Sequence, residues 1–318
     1  MAQDDRLVSV NGHTEMMQLC PRVDPAALLE LAREGGEESE RWRRQLAVSR
    51  TINCTCGPKR VLAYTLFGGG RVNPGNVAEV GLYERVFYRE QTVREQHSFE
   101  TRYLNPLLDN LDQFRALFPE WVLRIYLEPD LEFLVPRLVR DHVEIFLMAE
   151  TSNSFSGVLW RFLPADQADV ACFLSCDADE VLTPHTAEAT ARWIGSGKPF
   201  FRFLGITPPH KADSRVAIEG ARWGSRHDPT LRLGELVVGY ALFQNPDNPD
   251  RVYTRPGFDT PGNYGFDESL LSHVIYYIAC GKGMYTEVPA NYIEDTANPT
   301  TIDLQYQRER ERLSESGR

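Results

Sequence analysis

Several features are missing from the sequence, and each absence excludes a class of protein. The chain has no apolar run near the about 18 residues that a membrane-spanning helix needs. Its first residues include acids and no apolar run, so we expect no secretory signal peptide. It has 34 Lys and Arg against 45 Asp and Glu, a formal net charge of −11, which argues against general binding to nucleic acid or anionic membranes. We therefore expect a cytoplasmic protein without a membrane span.

Cysteine is scarce and poorly placed for a zinc site. Cys54 and Cys56 form the one close pair suited to metal, and with only Cys20 nearby we expect no tetrahedral zinc. Cys172 and Cys176 lie in an apolar segment and are interpreted as small packing residues. This pattern indicates reduced thiols and no disulfide framework. Neither Gly-X-Gly-X-X-Gly nor a P-loop follows the first predicted strand, so no dinucleotide or Walker site is predicted.

The most informative stretch, residues 170–182, joins an apolar strand to a cluster of acids. Its first half is short, apolar and β-prone, which predicts a buried strand of an α/β sheet. Asp177, Asp179 and Glu180 follow, and charge beside a core is costly unless a positive group faces it. Two carboxylates at the carboxyl end of a central strand suit Mg²⁺ or Mn²⁺, and ligands of open α/β sheets bind there. The pattern predicts a metal–diphosphate clamp, with a simple acidic turn before the next helix as the alternative.

Alternating strand and helix patterns predict an α/β fold with a mostly parallel sheet. Strands are predicted at 60–67, 121–127, 143–148, the start of 170–182, 199–206 and 284–288. Helices are predicted at 25–33, 99–118, 131–140, 184–194 and 265–278, and 73–96 is interpreted as a loop and a helix. Long loops facing the substrate are expected at 210–226 and 245–264.

These patterns suggest three parts of the chain. We expect a helical N-terminal extension at 1–57, a catalytic α/β domain at 58–297 and a polar C-terminal tail at 298–318. The charge runs of the extension are typical of solvated helix faces.

Seven short motifs occur in order along the chain. They are Leu66–Gly68, Phe118–Tyr126, Leu159–Ala165, Phe173–Asp179, Gly195–Pro199, Gly220–Arg226 and Tyr264–Leu271. Their order resembles nucleotide-sugar glycosyltransferases of the GT-A fold, especially a group found in microbes and large viruses. The similarity covers roughly residues 58–290.

The resemblance implies a Rossmann-like GT-A domain, with a mostly parallel central sheet flanked by helices and a smaller acceptor-side region. It implies a metal-dependent transferase that moves a sugar from a UDP-sugar, in preference to a GDP-sugar. The acceptor hydroxyl would lie on a glycan, protein, lipid or modified base.

The resemblance also implies a metal site. Asp177 and Asp179 would hold Mn²⁺ or Mg²⁺ against the diphosphate. Many such enzymes have a late His as a third ligand, and no His follows the helix predicted at 265–278 here. Glu294 or Asp295 would replace it, the metal would be held more loosely, or the chemistry has diverged. His210, in a loop, is either a phosphate or metal contact or merely solvated.

Donor binding is assigned by the same resemblance. Thr65, Leu66 and Phe67 would line the nucleoside pocket, and Arg102 or Tyr103 would contact base or phosphate.

The sugar side of the site follows from later motifs. Ala178 would lie with the metal-binding acids, and Gly220 and Ala221 would pass close to sugar and acceptor. Asp267 or Glu268 would meet the transferred sugar or the acceptor hydroxyl. If the reaction inverts the anomeric centre, a carboxylate base is needed, and Asp267 is the first choice. Acids in the first turn of a helix are also favoured by its dipole alone.

Arginines and tryptophans leave two interpretations open. Arg161, Arg222 and Arg226 are candidates for phosphate contacts, because a guanidinium matches phosphate oxygens, or they form ordinary ion pairs. Trp160 and Trp223 either stack on a sugar or base or pack in the core.

Two other functions remain as alternatives. A non-catalytic nucleotide- or sugar-binding protein, or a structural protein, on the same scaffold agrees with the missing late His. A sugar nucleotidyltransferase is the other, and we expect it less because we interpret the first-strand loop as lacking the glycine-rich, Arg- or Lys-bearing form that such enzymes use.

Overall fold

Eight strands form one mixed sheet in the residues that the computed structural model describes, 22–79, 81–88, 91–152, 154–203, 217–252 and 265–287. In chain order the strands are Val48–Ile52 (β1), Lys59–Leu66 (β2), Gly81–Tyr88 (β3), Gln91–Ser98 (β4), Trp121–Leu127 (β5), Val143–Met148 (β6), Val170–Ser175 (β7), Phe200–Phe203 (β8), Trp223–Arg226 (β9) and Met284–Glu287 (β10). The sheet order is β1-β6-β5-β2-β7-β9-β8-β10, and β3 pairs with β4 in a separate antiparallel hairpin.

The strand directions define a switch point in the middle of the sheet. β2 is parallel to β5 and β7, and β5 is parallel to β6, whereas β9 is antiparallel to both its neighbours and β1 is antiparallel to β6. The chain goes from β2 to β5 and β6 on one side, then returns to place β7 on the other side of β2. Ligand crevices in open α/β sheets lie outside the carboxyl ends of strands at such a point. The mostly parallel α/β sheet predicted from the sequence is confirmed.

Helices cover the sheet and connect its strands. They are Pro25–Glu34 (α1), Gly36–Leu46 (α2), Asn105–Leu117 (α3), Val135–Leu138 (α4), Pro184–Ser196 (α5), Leu233–Phe243 (α6), Phe266–Leu270 (α7) and Tyr276–Lys282 (α8). π-Helical turns at Glu100–Leu104 and Leu271–Ile275 extend α3 and join α7 to α8, and 3-10 helices span Pro129–Leu134 and Ser154–Asp166.

The helix that follows the acidic turn, α5, has clear sequence boundaries. The Thr183 side chain accepts a hydrogen bond from the Thr186 amide, and Pro184 occupies the first turn, where no amide hydrogen is needed. Gly197, with φ of +70°, ends the helix in the left-handed conformation that glycine adopts readily. The capping residues therefore fix where the chain leaves the acidic turn.

The sheet is buried on both faces. Along β2, Val61 and Ala63 pack in one core, whereas Leu62 and Tyr64 pack in the other. Each of these four side chains is fully buried. A strand that is covered on both faces has a nearly continuous run of apolar residues. β2 could therefore be recognised from the sequence.

Three of the predicted elements are wrong. β1 lies in the segment interpreted as a helical extension, the β3–β4 hairpin occupies a region interpreted as a loop and a helix, and β9 lies in a predicted loop. β1 is an edge strand whose three central residues are exposed, so it has no apolar signature. β9 has only four residues, and its Gly224 passes so close to β7 that an added Cβ would lie 2.2 Å from the Phe173 carbonyl oxygen.

The N-terminal helices pack directly on the rest of the described chain. A Cβ at Gly239 in α6 would lie 2.0 Å from the Leu28 carbonyl oxygen in α1, so the two helices cross in close contact. Arg43 in α2 donates to Glu235 at 2.9 Å and to the Ala32 carbonyl at 2.7 Å. Both helices therefore share their packing with α6.

A buried ionic network closes the amino end of the sheet. Glu144 accepts hydrogen bonds from Lys59 at 2.7 Å and from Arg124 at 2.6 Å, and all three side chains are at most 6% exposed. Asp169 pairs with both cations, at 3.1 and 3.2 Å. Burial opposes the charge on Glu144, but the Lys59 hydrogen bond and the Arg124 charge outweigh it and lower the pKa of Glu144.

Glu144→Ala should destabilise the protein strongly, because it leaves Lys59 and Arg124 buried beside a single, partly exposed carboxylate. We expect a loss of about 3–5 kcal/mol in the free energy of unfolding, measured by urea denaturation. Glu120→Ala is the matched control, since Glu120 pairs with Arg60 at 2.6 Å on the surface, and it should cost less than about 1 kcal/mol. Equal losses in the two variants would contradict this role for Glu144.

The effect of Glu144→Ala should depend on pH. Because the folded-state pKa of Glu144 is lowered, its contribution is present above the unfolded pKa of about 4.3 and is lost as the pH falls through the folded value. The difference in unfolding free energy between wild type and Glu144→Ala should therefore shrink on acidification below about pH 4. Urea denaturation at neutral and acidic pH measures it, and a constant difference would contradict the lowered pKa.

Candidate functional site

The acidic turn begins where β7 leaves the sheet at the switch point. The Cys176 amide still donates to the Ala63 carbonyl of β2 at 2.9 Å, after which the chain turns and the Glu180 amide donates to the Asp177 carbonyl at 3.2 Å. Asp177 and Asp179 therefore lie in a turn that follows β7 and not on the strand itself. Their position outside the carboxyl end of β7 agrees with the sequence analysis.

Each acid of the turn pairs with a different arginine. The pairs are Asp177 with Arg161, Asp179 with Arg102 at 3.0 Å, and Glu180 with Arg222 at 2.7 Å. The sequence required positive groups beside these carboxylates, and within the described residues these arginines supply them. Each carboxylate of the turn therefore faces one guanidinium group.

Arg161 is the central member of this cluster. Its guanidinium pairs with Asp177 through Nη1 and with Asp267 through Nη2, the latter at 2.9 Å. The Arg161 and Asp267 side chains are 4% and 6% exposed, whereas the Asp177 side chain is 41% exposed. The Arg161 Nε is buried and has no hydrogen-bond partner among the described residues. Arg161 thus joins the acidic turn to the first turn of α7.

The burial of Asp267 bears on its predicted role as a base. Its carboxylate faces Arg161, and Glu268 beside it is less buried. The resemblance-based assignment of a catalytic carboxylate to this turn stays a prediction.

Gly220 leaves the space that the Arg161–Asp267 pair occupies. A Cβ at this position would lie 2.2 Å from Asp267 Oδ2 and 2.5 Å from Arg161 Nη2. The Ser175 hydroxyl at the end of β7 donates to the Gly220 carbonyl at 2.6 Å and holds the segment there. The proximity of Gly220 to sugar and acceptor stays a prediction, and Gly220 lies against the Arg161–Asp267 pair.

Gly220→Ala should disturb the Arg161–Asp267 pair, because the added methyl group cannot fit while that pair is intact. We expect a loss of about 1–3 kcal/mol in the free energy of unfolding, measured by urea denaturation. Gly195→Ala, in the last turn of α5 with no atom within 4 Å of the added carbon, is the control. It should be neutral or slightly stabilising. A neutral Gly220→Ala variant would show that the pair can shift at no cost.

The predicted nucleoside-pocket residues follow β2 into the crevice. The Thr65 hydroxyl donates to the Gly157 carbonyl at 2.7 Å, and a Cβ at Gly157 would lie 2.5 Å from the Phe67 ring. Leu66 is 1% exposed and packs in the core, so its side chain does not line an open pocket. Phe67 is half-buried and meets Trp160 edge to face at 6.2 Å.

Glu128, which was not predicted as a site residue, fixes the loop after β2. Its buried carboxylate accepts the Gly68 amide at 2.6 Å and both the amide and hydroxyl of Ser152 at 2.8 Å. It thereby ties the ends of β2, β5 and β6 together. The signal that identified Asp177, an acid directly after a buried strand, was also present at Glu128.

Asn110 fixes the acidic turn from the other side and was also missed. Its buried side chain donates to the Glu180 carbonyl at 2.6 Å and accepts the Leu182 amide at 2.8 Å. Between these two bonds the Val181 side chain is 59% exposed. A lone Asn in an amphipathic helix gives no sequence signal for such a contact.

Of the remaining residues predicted to contact ligands, three lie near the acidic turn and Arg226 lies far from it. Arg102 lies 5.4 Å from the Tyr103 ring centre and reaches Asp179. Ala178 and Ala221 are mostly buried near the turn. Arg226 donates to the carbonyls of Ile194, in the last turn of α5, and of Lys198, just after that helix, so it is not a neighbour of the acids.

Trp160 and Trp223 pack in the core and do not stack on an exposed ligand site. Trp223 is fully buried and meets the rings of Phe162 and Phe173 edge to face, both at 5.2 Å. Trp160 is fully buried and donates to the Gln45 carbonyl at 2.7 Å. Neither has a face open to a sugar or base in this structure.

The strand cysteines have the packing role predicted for them. Burial raises the pKa of Cys176 to about 12 and that of Cys172 to about 11, so neither is a thiolate near neutral pH. His210, Glu294 and Asp295 lie outside the described residues.

The carboxylates of the acidic turn can hold a divalent cation only if a second ligand supplies further oxygen atoms. Across the described ranges, no group of three or more His, Cys, Asp or Glu side chains is arranged to hold a metal. Asp177 and Asp179 offer two carboxylates, and Mg²⁺ is commonly held by one or two carboxylates together with substrate phosphates and water. The residues therefore fit a cation that arrives with a diphosphate.

Comparisons with known proteins found distant structural likenesses. No protein-family model and no curated protein matches the chain. Rv0371c from Mycobacterium tuberculosis H37Rv matches with a TM-score of 0.33 at 11% identity, over 61% of this chain and 86% of that one. Its complex with manganese matches with a TM-score of 0.34 at 12% identity, over 80% and 98% of the two chains. 4-Diphosphocytidyl-2C-methyl-D-erythritol synthase from Anaerococcus prevotii DSM 20548 matches with a TM-score of 0.37 at 9% identity, over 79% and 94%.

Likenesses at this level do not decide the fold or the site, which rest on the chain's own residues. Within the described residues, no helix has the length and apolar character needed to cross a membrane.

Proposed function

We propose that the protein is a metal-dependent glycosyltransferase of GT-A type, which transfers a sugar from a nucleotide-diphosphate sugar to an acceptor hydroxyl. The observation that supports it is the set of paired carboxylates and arginines outside the carboxyl end of β7, at the switch point of the sheet. A UDP-sugar is the preferred donor, as the sequence resemblance implies. The proposed catalytic domain includes the sheet and the helices that cover it.

Acidic residues of the site would bind the cation, and basic residues would bind the diphosphate. Asp177 and Asp179 would hold Mn²⁺ or Mg²⁺, and Arg102 and Arg161 lie close enough to these acids to meet the same diphosphate. When bound, the cation acts as a Lewis acid that stabilises the leaving diphosphate. The loop after β2, held by Glu128, would bound the nucleoside side.

If the reaction inverts the anomeric centre, the base would come from the first turn of α7. Glu268 now fits this role better than Asp267, because Asp267 is buried against Arg161. This reverses the order expected from the sequence.

A sugar nucleotidyltransferase is the second candidate, and one observation favours it. Residues 68–70 are all glycine and Arg71 follows them, so the sequence-based objection that this loop lacks glycines and a basic residue was wrong. Gly69 and Gly70 have φ of +59° and +71°, and Arg71 is exposed. Such a loop allows close approach of a phosphate to the backbone.

Asp177→Ala and Asp179→Ala should each abolish metal-linked nucleotide binding and leave the fold intact. Wild type with Mn²⁺ and UDP at about 100 times its dissociation constant should gain about 2.7 kcal/mol of stability, and the variants should gain almost none. Thermal unfolding with MnCl₂ and UDP, and separately GDP, measures this. Glu120→Ala, at a surface pair on the amino side of β2, is the control and should respond as wild type does. Unchanged stabilisation in both Asp variants would contradict the clamp.

The product of the reaction separates the candidate functions. A glycosyltransferase should release nucleoside diphosphate from a panel of UDP- and GDP-sugars, slowly even without acceptor. A nucleotidyltransferase should release pyrophosphate from nucleoside triphosphate and sugar phosphate. Binding without either product would support the non-catalytic alternative.

A further inference from the structure

The ion pairs of the acidic turn stand where the proposed ligands would have to bind. We infer that the cation and the diphosphate enter by exchange of ion pairs, in which Asp177 and Asp179 pass from Arg161 and Arg102 to the cation and the two arginines pass to the diphosphate. This inference rests on the proposed function and adds that the two ligands bind cooperatively.

The charges explain why neither ligand should bind well alone. The two acids and the two arginines are balanced as they stand. A cation alone would take both carboxylates, so that Arg102 would lose its ion pair with Asp179 and the buried Arg161 would keep only Asp267, which is costly. A diphosphate alone would take the arginines and lie beside two unpaired carboxylates, which repel it. With both ligands present, every charge regains an opposite partner.

Arg161 has the contacts that such an exchange requires. When Asp177 leaves, Arg161 keeps its bond to Asp267 at 2.9 Å, so its guanidinium stays in place. Its Nε is a buried donor that has no partner among the described residues, and a phosphate oxygen could accept from it.

The exposure of the acids and of Arg102 allows ligand access. The Asp177 side chain is 41% exposed and that of Asp179 is 27% exposed. Arg102, at 21%, is more accessible than Arg161. The neighbouring Glu180–Arg222 pair, at 2.7 Å, is not required to open.

Binding measurements on wild type test the cooperativity. Mn²⁺ binding is followed by the electron paramagnetic resonance signal of the free ion, and UDP binding by calorimetry, each with and without the other ligand. The manganese–UDP complex that forms in buffer is measured separately and subtracted. We expect each ligand to tighten the other by the same factor, ~10-fold or more.

Removal of one arginine separates exchange from a merely structural role. Arg102→Met should bind Mn²⁺ alone more tightly than wild type, by ~10-fold, because Asp179 no longer has a competing partner, and its coupling to UDP should fall. Arg161→Met should behave in the same way if it folds, and Arg102→Met keeps the test available if it does not. Arg60→Met removes an arginine from a surface pair with Glu120, and it should match wild type in both measurements.

The outcomes distinguish the inference from the function on which it rests. Tighter Mn²⁺ binding by Arg102→Met together with weaker coupling supports the exchange. If wild type binds Mn²⁺ and UDP with no mutual effect, or if Arg102→Met binds Mn²⁺ no better than wild type, the exchange is wrong and the proposed function stands. If wild type binds neither ligand in any combination, both proposals are wrong.

Discussion

The double pairing of Arg161 is the interaction on which the geometry of the candidate site depends. One buried guanidinium holds Asp177, at the end of a central strand, and Asp267, in the first turn of a distant helix. Two carboxylates so close to one another would repel without a cation between them. Gly220 supplies the space for this contact, and Ser175 fixes Gly220. A single side chain thereby sets the position of three segments that are far apart in sequence.

The elements that surround the site could be predicted because their signals are local. Strands buried on both faces, such as β2 and β7, are continuous apolar runs, and the boundaries of α5 follow from its capping residues. β1 and β9 were not predicted from the sequence. An exposed edge strand and a four-residue strand acquire their conformation by pairing with strands that are distant in sequence. Periodicity within a segment contains no information on such pairing.

The residues of the candidate site were also only partly predictable from the sequence. An acid that follows an apolar strand can be recognised in sequence, and Asp177 does have the positive partner that its position requires. The identity of that partner was not predictable, because Arg161 and Arg102 come from segments whose approach to the turn is set by the tertiary fold. Asn110 and Glu128 act through hydrogen bonds to backbone groups, which depend on the same long-range packing.

The crevice combines two kinds of polar contact with different consequences. Hydrogen bonds of Asn110 and Glu128 fix backbone groups of the two loops, and breaking the buried bonds to the Leu182 and Gly68 amides would leave those amides unsatisfied. The ion pairs of Asp177 and Asp179 involve side chains that reach solvent, so a ligand of matching charge can replace either partner. The loops can therefore keep their shape while the charges change partners. A site of this kind is stable without its ligands and still accepts a pair of oppositely charged ones, because the free energy of each broken pair is offset by a new one.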